Sequence, residues 1–193
     1  MSPHTKGSSK GRAGRSSGAA PLVFFHGAHR WEGPPEIRPS KTKKVAVHGP
    51  GIYLTTHRGT AERYARGGGV VMRMELSPDL RLLSDAELPV EEMIAFVRAV
   101  PRMRKKKEIE SDLIRYATRV KKNVIPANVV LNLMNHYEVG YGEPGQELVR
   151  FYVSRGIDGD IVDHVLFGGM EEGERWLVLF NTDKVLRYER SRV

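Results

Sequence analysis

The residues of this chain whose types and spacing could do chemistry are concentrated in one stretch, GPGIYLTTHRGTAERYA, at positions 49–65. Tyr53 lies in its short apolar run, and Tyr64 follows eleven residues later in a segment typical of a helix. Aromatic side chains contribute large contact faces in well-defined geometries. The stretch is therefore either an ordinary strand, turn and helix or the floor of a binding pocket.

A histidine–glycine pair precedes this stretch. His26 and Gly27 follow the continuous apolar run at 22–25, which predicts a buried strand that ends at the pair. A single histidine at a strand end is more often structural than functional, and Tyr64 would also suit a core position on an amphipathic helix. Each feature taken alone is weak evidence for a site.

Acidic residues cluster just before the last apolar segment, WLVLF. The glutamates are Glu171, Glu172 and Glu174. On a strand, Glu174 would point to the same face as Trp176, because side chains alternate along a strand. A solvated hairpin turn explains the same acids equally well, and Asp163 is a further candidate.

The elements that must position these residues follow from hydrophobic periodicity. Apolar stripes predict helices in LPVEEMIAFVRAVP, KKEIESDLIRYATRVKK, ANVVLNLMNHYE and EPGQELVRFYVSRG. GTAERYARG predicts a short helix with Thr60 as its N-cap and Gly67 at its end. Strands are predicted in LVFF, GIYLTT, GVVMRMELS, IDGDIVDHVLF and WLVLFNTDKVLRY. This order predicts an α+β fold with a mixed sheet, in one domain at 21–193 with a helical elaboration at about 86–156.

Composition limits the classes of protein to consider. The chain has 193 residues and no cysteine, which excludes disulfides and thiolate metal sites and fits a reducing compartment. No apolar run approaches eighteen residues, and we expect a cytoplasmic protein. We expect no metal site, because His48 and His57 lie in loops without ligand spacing.

The charge favours a polyanionic partner. The formal net charge is +8, and residues 1–20 form an acid-free segment that we expect to be a disordered basic tail. A second basic run, RMRKKK, contains five bases in six residues. A solvated loop at a helix start is the usual explanation, and phosphate contact is the alternative. The candidate acceptor-binding residues in this run are Arg104, Lys105, Lys106 and Lys107.

Taken together and in this order, FFHG, GPGIYLTT and TAERYA resemble the ADP-ribosyltransferase fold. The similarity is to its diphtheria-toxin-like and poly(ADP-ribose) polymerase-like branch, which has a His–Tyr–Glu site. That branch ends its first strand in His-Gly and carries a G-x-G-I-Y-[FL] strand. Its second tyrosine follows eleven residues later, and a late strand supplies the acid. The resemblance covers residues 22–76 well and 157–188 loosely, and it does not extend to the helical middle.

The resemblance implies an enzyme that cleaves the bond between nicotinamide and its ribose in NAD, the co-substrate, through an oxocarbenium-like transition state. His26 would hydrogen-bond the adenosine ribose, and the Gly27 backbone would hold the nicotinamide amide. Tyr53 and Tyr64 would sandwich the nicotinamide ring. The implied catalytic set is His26, Tyr53 and Glu174, with the carboxylate stabilising the developing positive charge.

The identity of the acid is open. Glu172-Gly173-Glu174 is similar to the E-x-E turn of other transferases in the superfamily, in which the second acid is catalytic and the first orients the acceptor. Glu172 is therefore an acceptor-side candidate. A different alignment puts Trp176 at the acid's place, which would imply another acid or an inactive protein.

Two other functions are compatible with the resemblance. The fold also hosts a tRNA 2′-phosphotransferase, which uses NAD and favours a basic surface, but the tyrosine pair and the acid-rich turn argue against it. An inactive nucleic-acid-binding or protein-binding module is the other alternative. Among enzymes, we expect a macromolecular acceptor that is a nucleic acid or an associated protein, and by analogy a toxin or phage effector.

Overall fold

The computed structural model describes residues 19–38, 49–162 and 172–191. The part of the chain before position 19, which holds most of the predicted basic tail, lies outside these ranges. The strands are β1 (Leu22–Ala28), β2 (Ile52–Thr55), β3 (Val70–Leu76), β4 (Glu87–Pro89), β5 (Val124–Pro126), β6 (Gly159–Val162), β7 (Trp176–Leu179) and β8 (Val185–Arg190). The α-helices are α1 (Arg58–Ala65), α2 (Val90–Ala99), α3 (Lys106–Val120), α4 (Ala127–His136) and α5 (Gly142–Ser154).

Six of these strands form one sheet in the order β6-β7-β2-β1-β3-β8, and β4 pairs with β5 in a small second sheet. The α+β class is confirmed, but the predicted mixed sheet is wrong. Every pairing between the described strands is antiparallel. The physical reason is that β2 and β3 run in the same direction, joined through α1, and β1 lies between them and runs against both.

The sheet has two differently covered faces. We call the face that carries Phe25, Tyr53, Thr55 and Val178 the front face. Alternation along each strand sends Phe24, Ile52, Leu54 and the other apolar residues of these strands to the back face, where they form a buried cluster. On the front face, α1 packs over β1 and β3 through its alanines.

A helical lobe formed by α2 to α5, together with β4 and β5, covers another part of the front face. The four predicted helices are confirmed, and their apolar stripes meet in one core. Val178 and Phe180 join this core to the sheet, and the ring of Tyr152 stacks on that of Phe180 with centroids 5.6 Å apart. The front face of β2 and β7 therefore lies between α1 on one side and the lobe on the other.

Several predicted boundaries need correction. The first strand does not end at His26 and Gly27 but continues to Ala28, because its pairing with β3 is unbroken over seven residues. Helix α1 begins at Arg58 after an N-cap position at His57, while Thr60 is buried within the helix. The helix ends at Ala65, where Arg66 takes a positive φ of 52°, and not at Gly67.

The C-terminal segments also differ in detail from the predictions. WLVLFNTDKVLRY forms two strands, β7 and β8, because a 3-10 turn at Thr182–Lys184 separates them. β6 occupies the first part of IDGDIVDHVLF, and the rest of that segment lies outside the described ranges. Among the helices that the structure describes, none is long and apolar enough to cross a membrane.

Candidate active site

The carboxylate of Glu174 is the most unusual group on the front face. It lies just before β7 and is only 5% exposed, whereas carboxylates are almost never buried without partners. Thr55 Oγ1 donates a hydrogen bond to Glu174 Oε1 at 2.5 Å, and the Trp176 indole Nε1 donates to the same oxygen at 2.9 Å. Both donors lie on neighbouring strands of one sheet, so the sheet itself fixes the position of this acid.

The Thr55 hydroxyl is held in a single orientation. Its oxygen accepts a hydrogen bond from the backbone N–H of His57 at 3.0 Å, which directs its own proton toward Glu174. The turn after β2 is tied to the segment before β7 by two more bonds at 3.0 Å. Thr56 N–H donates to the carbonyl of Arg175, and Arg175 N–H donates to Thr56 Oγ1. These contacts preorganise the carboxylate rather than leaving it to solvent.

Tyr64 lies on the side of α1 that faces the sheet. It is three residues after Ala61 and four after Thr60, which are both buried, yet it is 56% exposed. Its ring meets the edge of Trp176 with centroids 5.5 Å apart. The ring of Tyr64 therefore lies half exposed beside Trp176 on the front face.

Tyr53 lies on the same face, one front-facing position before Thr55 on β2. It pairs with Val178 of β7 and packs against the helical lobe. Its hydroxyl donates a hydrogen bond to the carbonyl of Gly49 at 2.7 Å. This bond fixes the ring at the side of the site nearest the lobe.

His26 reaches the site through the backbone of β2. Its Nδ1 lies 2.7 Å from the carbonyl oxygen of Tyr53. Because a carbonyl only accepts, Nδ1 carries the proton and Nε2 is the acceptor in the neutral ring. Burial lowers the pKa of His26, and the bond to the Tyr53 carbonyl opposes this shift without cancelling it. The imidazole is therefore neutral near pH 7.

The imidazole itself lies on the back face. Phe25 and Gly27 face α1, so alternation directs the side chain of His26 to the other side of β1. There its ring meets the edge of Trp31, with centroids 5.3 Å apart. His26 thus contacts the strand that carries Tyr53 but does not share a face with Tyr53, Tyr64 and Glu174.

Gly27 has a packing reason to be glycine. A Cβ at this position would lie 1.8 Å from the carbonyl oxygen of Ala61, so any larger residue would push α1 off the sheet. The described pairing between β1 and β2 consists of Phe25 with Thr55. Two residues further along β1, Gly27 would pair with Tyr53, but the described pairing does not extend that far. The carbonyl of Tyr53 instead accepts a hydrogen bond from the His26 ring. The two strands therefore begin to separate beside the site.

The remaining candidates lie in different places. Glu172 is exposed in the turn before Glu174, and Glu171 and Asp163 lie outside the described residues. Of the bases of RMRKKK, Arg102, Arg104 and Lys105 lie in the loop between α2 and α3, whereas Lys106 and Lys107 are the first two residues of α3. The structure thus brings together Tyr53, Tyr64 and Glu174, and it adds Thr55 and Trp176, which the sequence argument did not assign to the site. The sequence carries a signal for Trp176: it lies two residues after Glu174, so on a strand both side chains point to the same face.

Comparisons with protein families, with curated proteins and with solved structures find no match to this chain. Within the three described ranges, no cluster of histidine, aspartate or glutamate side chains is arranged to hold a metal ion.

Proposed function

We propose that this protein is an ADP-ribosyltransferase that cleaves NAD and transfers its ADP-ribose to a macromolecular acceptor. The observation that carries the proposal is the buried Glu174 carboxylate, which two fixed donors hold on the front face beside Tyr64 and Tyr53. Two tyrosines followed later in the chain by a glutamate are also what the resemblance to the His–Tyr–Glu branch implies.

The reaction breaks the bond between the nicotinamide nitrogen and C1′ of its ribose. Nicotinamide leaves with the bonding electron pair, and an oxygen or nitrogen atom of the acceptor forms the new bond to C1′ and loses its proton. Positive charge develops on the ribose in the transition state. A preoriented carboxylate stabilises such charge strongly in a site from which water is excluded.

The surrounding side chains have complementary roles in this proposal. Thr55 and Trp176 hold the Glu174 carboxylate, so it need not reorganise during the reaction. Tyr64 and Trp176 offer aromatic surface at the open part of the front face, which suits the planar nicotinamide ring. Tyr53 closes the opposite side of the site, next to the helical lobe.

The separation of β1 from β2 supports the same placement of NAD. Beyond Phe25 and Thr55 the ladder does not continue, so the edge of β1 at Gly27 faces this opening. An amide group of a ligand can pair with such a backbone edge. In this arrangement His26 positions the Tyr53 strand through its bond to the backbone.

Binding of NAD tests the proposal without requiring the acceptor. Isothermal titration calorimetry should detect NAD binding by the wild-type protein, and Tyr64→Ala should weaken it roughly 3- to 10-fold through loss of ring contact. The matched control is Tyr188→Ala, because Tyr188 is also a surface tyrosine, 41% exposed, but lies on β8 at the far edge of the sheet. Equal affinities for both variants would contradict the proposed site.

Free nicotinamide, measured by chromatography with and without cell lysate, tests the reaction itself. We expect slow release by the protein alone and faster release when lysate supplies the acceptor. Tight NAD binding without release under either condition would instead favour the inactive binding module.

A further inference from the structure

The basic run at residues 102–107 comprises the end of the loop between α2 and α3 and the first two residues of α3. We call it the basic loop, and it is anchored to the helical lobe. Met103 is only 7% exposed and packs into the lobe core. Lys106 Nζ donates a hydrogen bond to the carbonyl of Arg98 at 2.7 Å, and Arg102 forms an ion pair with Glu143 at 2.9 Å. Met103 and Lys106 hold the loop to the lobe, whereas the exposed ion pair of Arg102 contributes little.

The other three cations of the loop face solvent. Arg104, Lys105 and Lys107 are exposed, and none of them forms an ion pair with any residue in the described part of the chain. Arg104, Lys105 and Lys107 place three positive charges within four positions, and Glu108 is the acid in the first turn of α3 that follows them.

Backbone geometry does not explain the choice of residues in the loop. Arg102 and Lys105 have φ values of 58° and 53°, in the left-handed region that glycine adopts without steric cost. The chain thus carries cations at two positions where glycine would be less strained. Arg66, Lys121 and Glu138 have similar φ values, so this backbone conformation does not by itself assign a function to the loop.

The loop is linked to Tyr53 through a series of local contacts. Lys105 Nζ lies 5.8 Å from the ring centroid of Tyr137, just after α4. Three residues further, Gly140 packs against Gly49, where an added Cβ would lie 3.6 Å from the Gly49 Cα. Gly49 is the residue whose carbonyl holds the Tyr53 hydroxyl. These contacts connect the loop to Tyr53 through the residues that follow α4.

From these observations we infer that the basic loop binds the phosphate backbone of a nucleic acid, and that this nucleic acid is the acceptor. The inference rests on the proposed function for the transfer step, but the binding surface is argued independently of it. Lysine and arginine contacts to phosphates are insensitive to base sequence, and they release counterions. Binding should therefore be strongly salt-dependent.

The test uses fluorescently labelled single-stranded RNA, single-stranded DNA and duplex DNA, titrated by anisotropy at 50 and 200 mM salt. We expect at least one polymer to bind the wild-type chain. Changing Arg104, Lys105 and Lys107 together to Gln should lower the slope of log affinity against log salt by about 2 to 3, because each phosphate contact contributes roughly 0.7–0.9. The control changes Arg150, Arg187 and Arg190 to Gln, which removes the same charge from α5 and β8.

A second variant separates binding from folding. Lys105→Gly removes one cation and relieves the left-handed backbone, so it should weaken oligonucleotide binding while the midpoint of urea unfolding stays the same or rises. No binding of any polymer at 50 mM salt, or equal losses in the loop and control triple variants, would overturn the inference. Labelled ADP-ribose appearing only on protein would overturn the acceptor assignment.

The two proposals fail in distinguishable ways. NAD binding and acceptor-free nicotinamide release report on the front-face site, and the loop triple variant should leave both unchanged. If that variant binds no polymer yet releases nicotinamide normally, the inference about the loop is supported. If the wild-type chain binds polymers but neither binds nor cleaves NAD, the proposed function fails while the nucleic-acid surface stands.

Discussion

The hydrogen bond between Thr55 and Glu174 should contribute measurably to stability. Thr55→Val keeps the shape of the side chain but removes the hydroxyl that donates to the buried carboxylate. Hydrogen bonds to charged groups contribute about 1.5–3 kcal/mol, so the free energy of unfolding should fall by about that amount. Thr55→Ser keeps the donor and loses one methyl group, for which about 1 kcal/mol is expected.

Urea unfolding of a double-mutant cycle isolates this interaction. The cycle combines Thr55→Val with Glu174→Met, which has a similar length and no charge. We expect a coupling free energy of about 1.5 kcal/mol or more, because the two side chains share one bond. If the two changes are additive within about 0.5 kcal/mol, the carboxylate is not held by Thr55 and the geometry argued for the site is wrong.

Three further predictions test neighbouring parts of the fold. Gly27→Ala should prevent stable folding because its Cβ would lie 1.8 Å from the Ala61 oxygen of α1. Gly59→Ala, on α1 itself, has open space and should stabilise by about 0.5–1 kcal/mol, and circular dichroism melts compare the two variants. The pKa of His26 is lowered in the folded state, so the unfolded chain binds the proton more readily. The free energy of unfolding should therefore fall as the pH drops below about 6.5, and urea titrations should show a weaker pH dependence for His26→Gln. The Tyr152 hydroxyl is fully buried with no hydrogen-bond partner among the described residues, so Tyr152→Phe should leave the free energy of unfolding unchanged or raise it by about 1–2 kcal/mol, and a loss would show a missed partner.

Local patterns were sufficient to predict most of the elements. Apolar stripes of 3.6-residue period identified the helices of the lobe, because each helix buries one face in a shared core. Alternation identified β3 in the same way. The direction of the strands was not predictable from these patterns, since β1 lies between two strands that follow it in the chain and no local signal encodes this insertion.

The site was only partly predictable for a related reason. The placement of Glu174 on one face with Trp176 follows from strand parity alone. Its bond to Thr55 joins residues 119 positions apart and depends on the pairing of β2 with β7. The orientation of His26 was also hidden, because it depends on β1 continuing two residues beyond the histidine.

The measurement that tests the central claim most directly is the rate of nicotinamide release from NAD by wild-type protein, Glu174→Gln and Glu147→Gln. Glu147 is a matched control because it lies on α5 of the helical lobe, where its carboxylate is in an ion pair with Arg150. We expect Glu174→Gln to lower the rate by about 10²–10³ while NAD affinity measured by calorimetry is retained, because the charge acts mainly in the transition state. Glu147→Gln should match the wild type. Release by Glu174→Gln at the wild-type rate would contradict the assignment of this carboxylate as the catalytic acid.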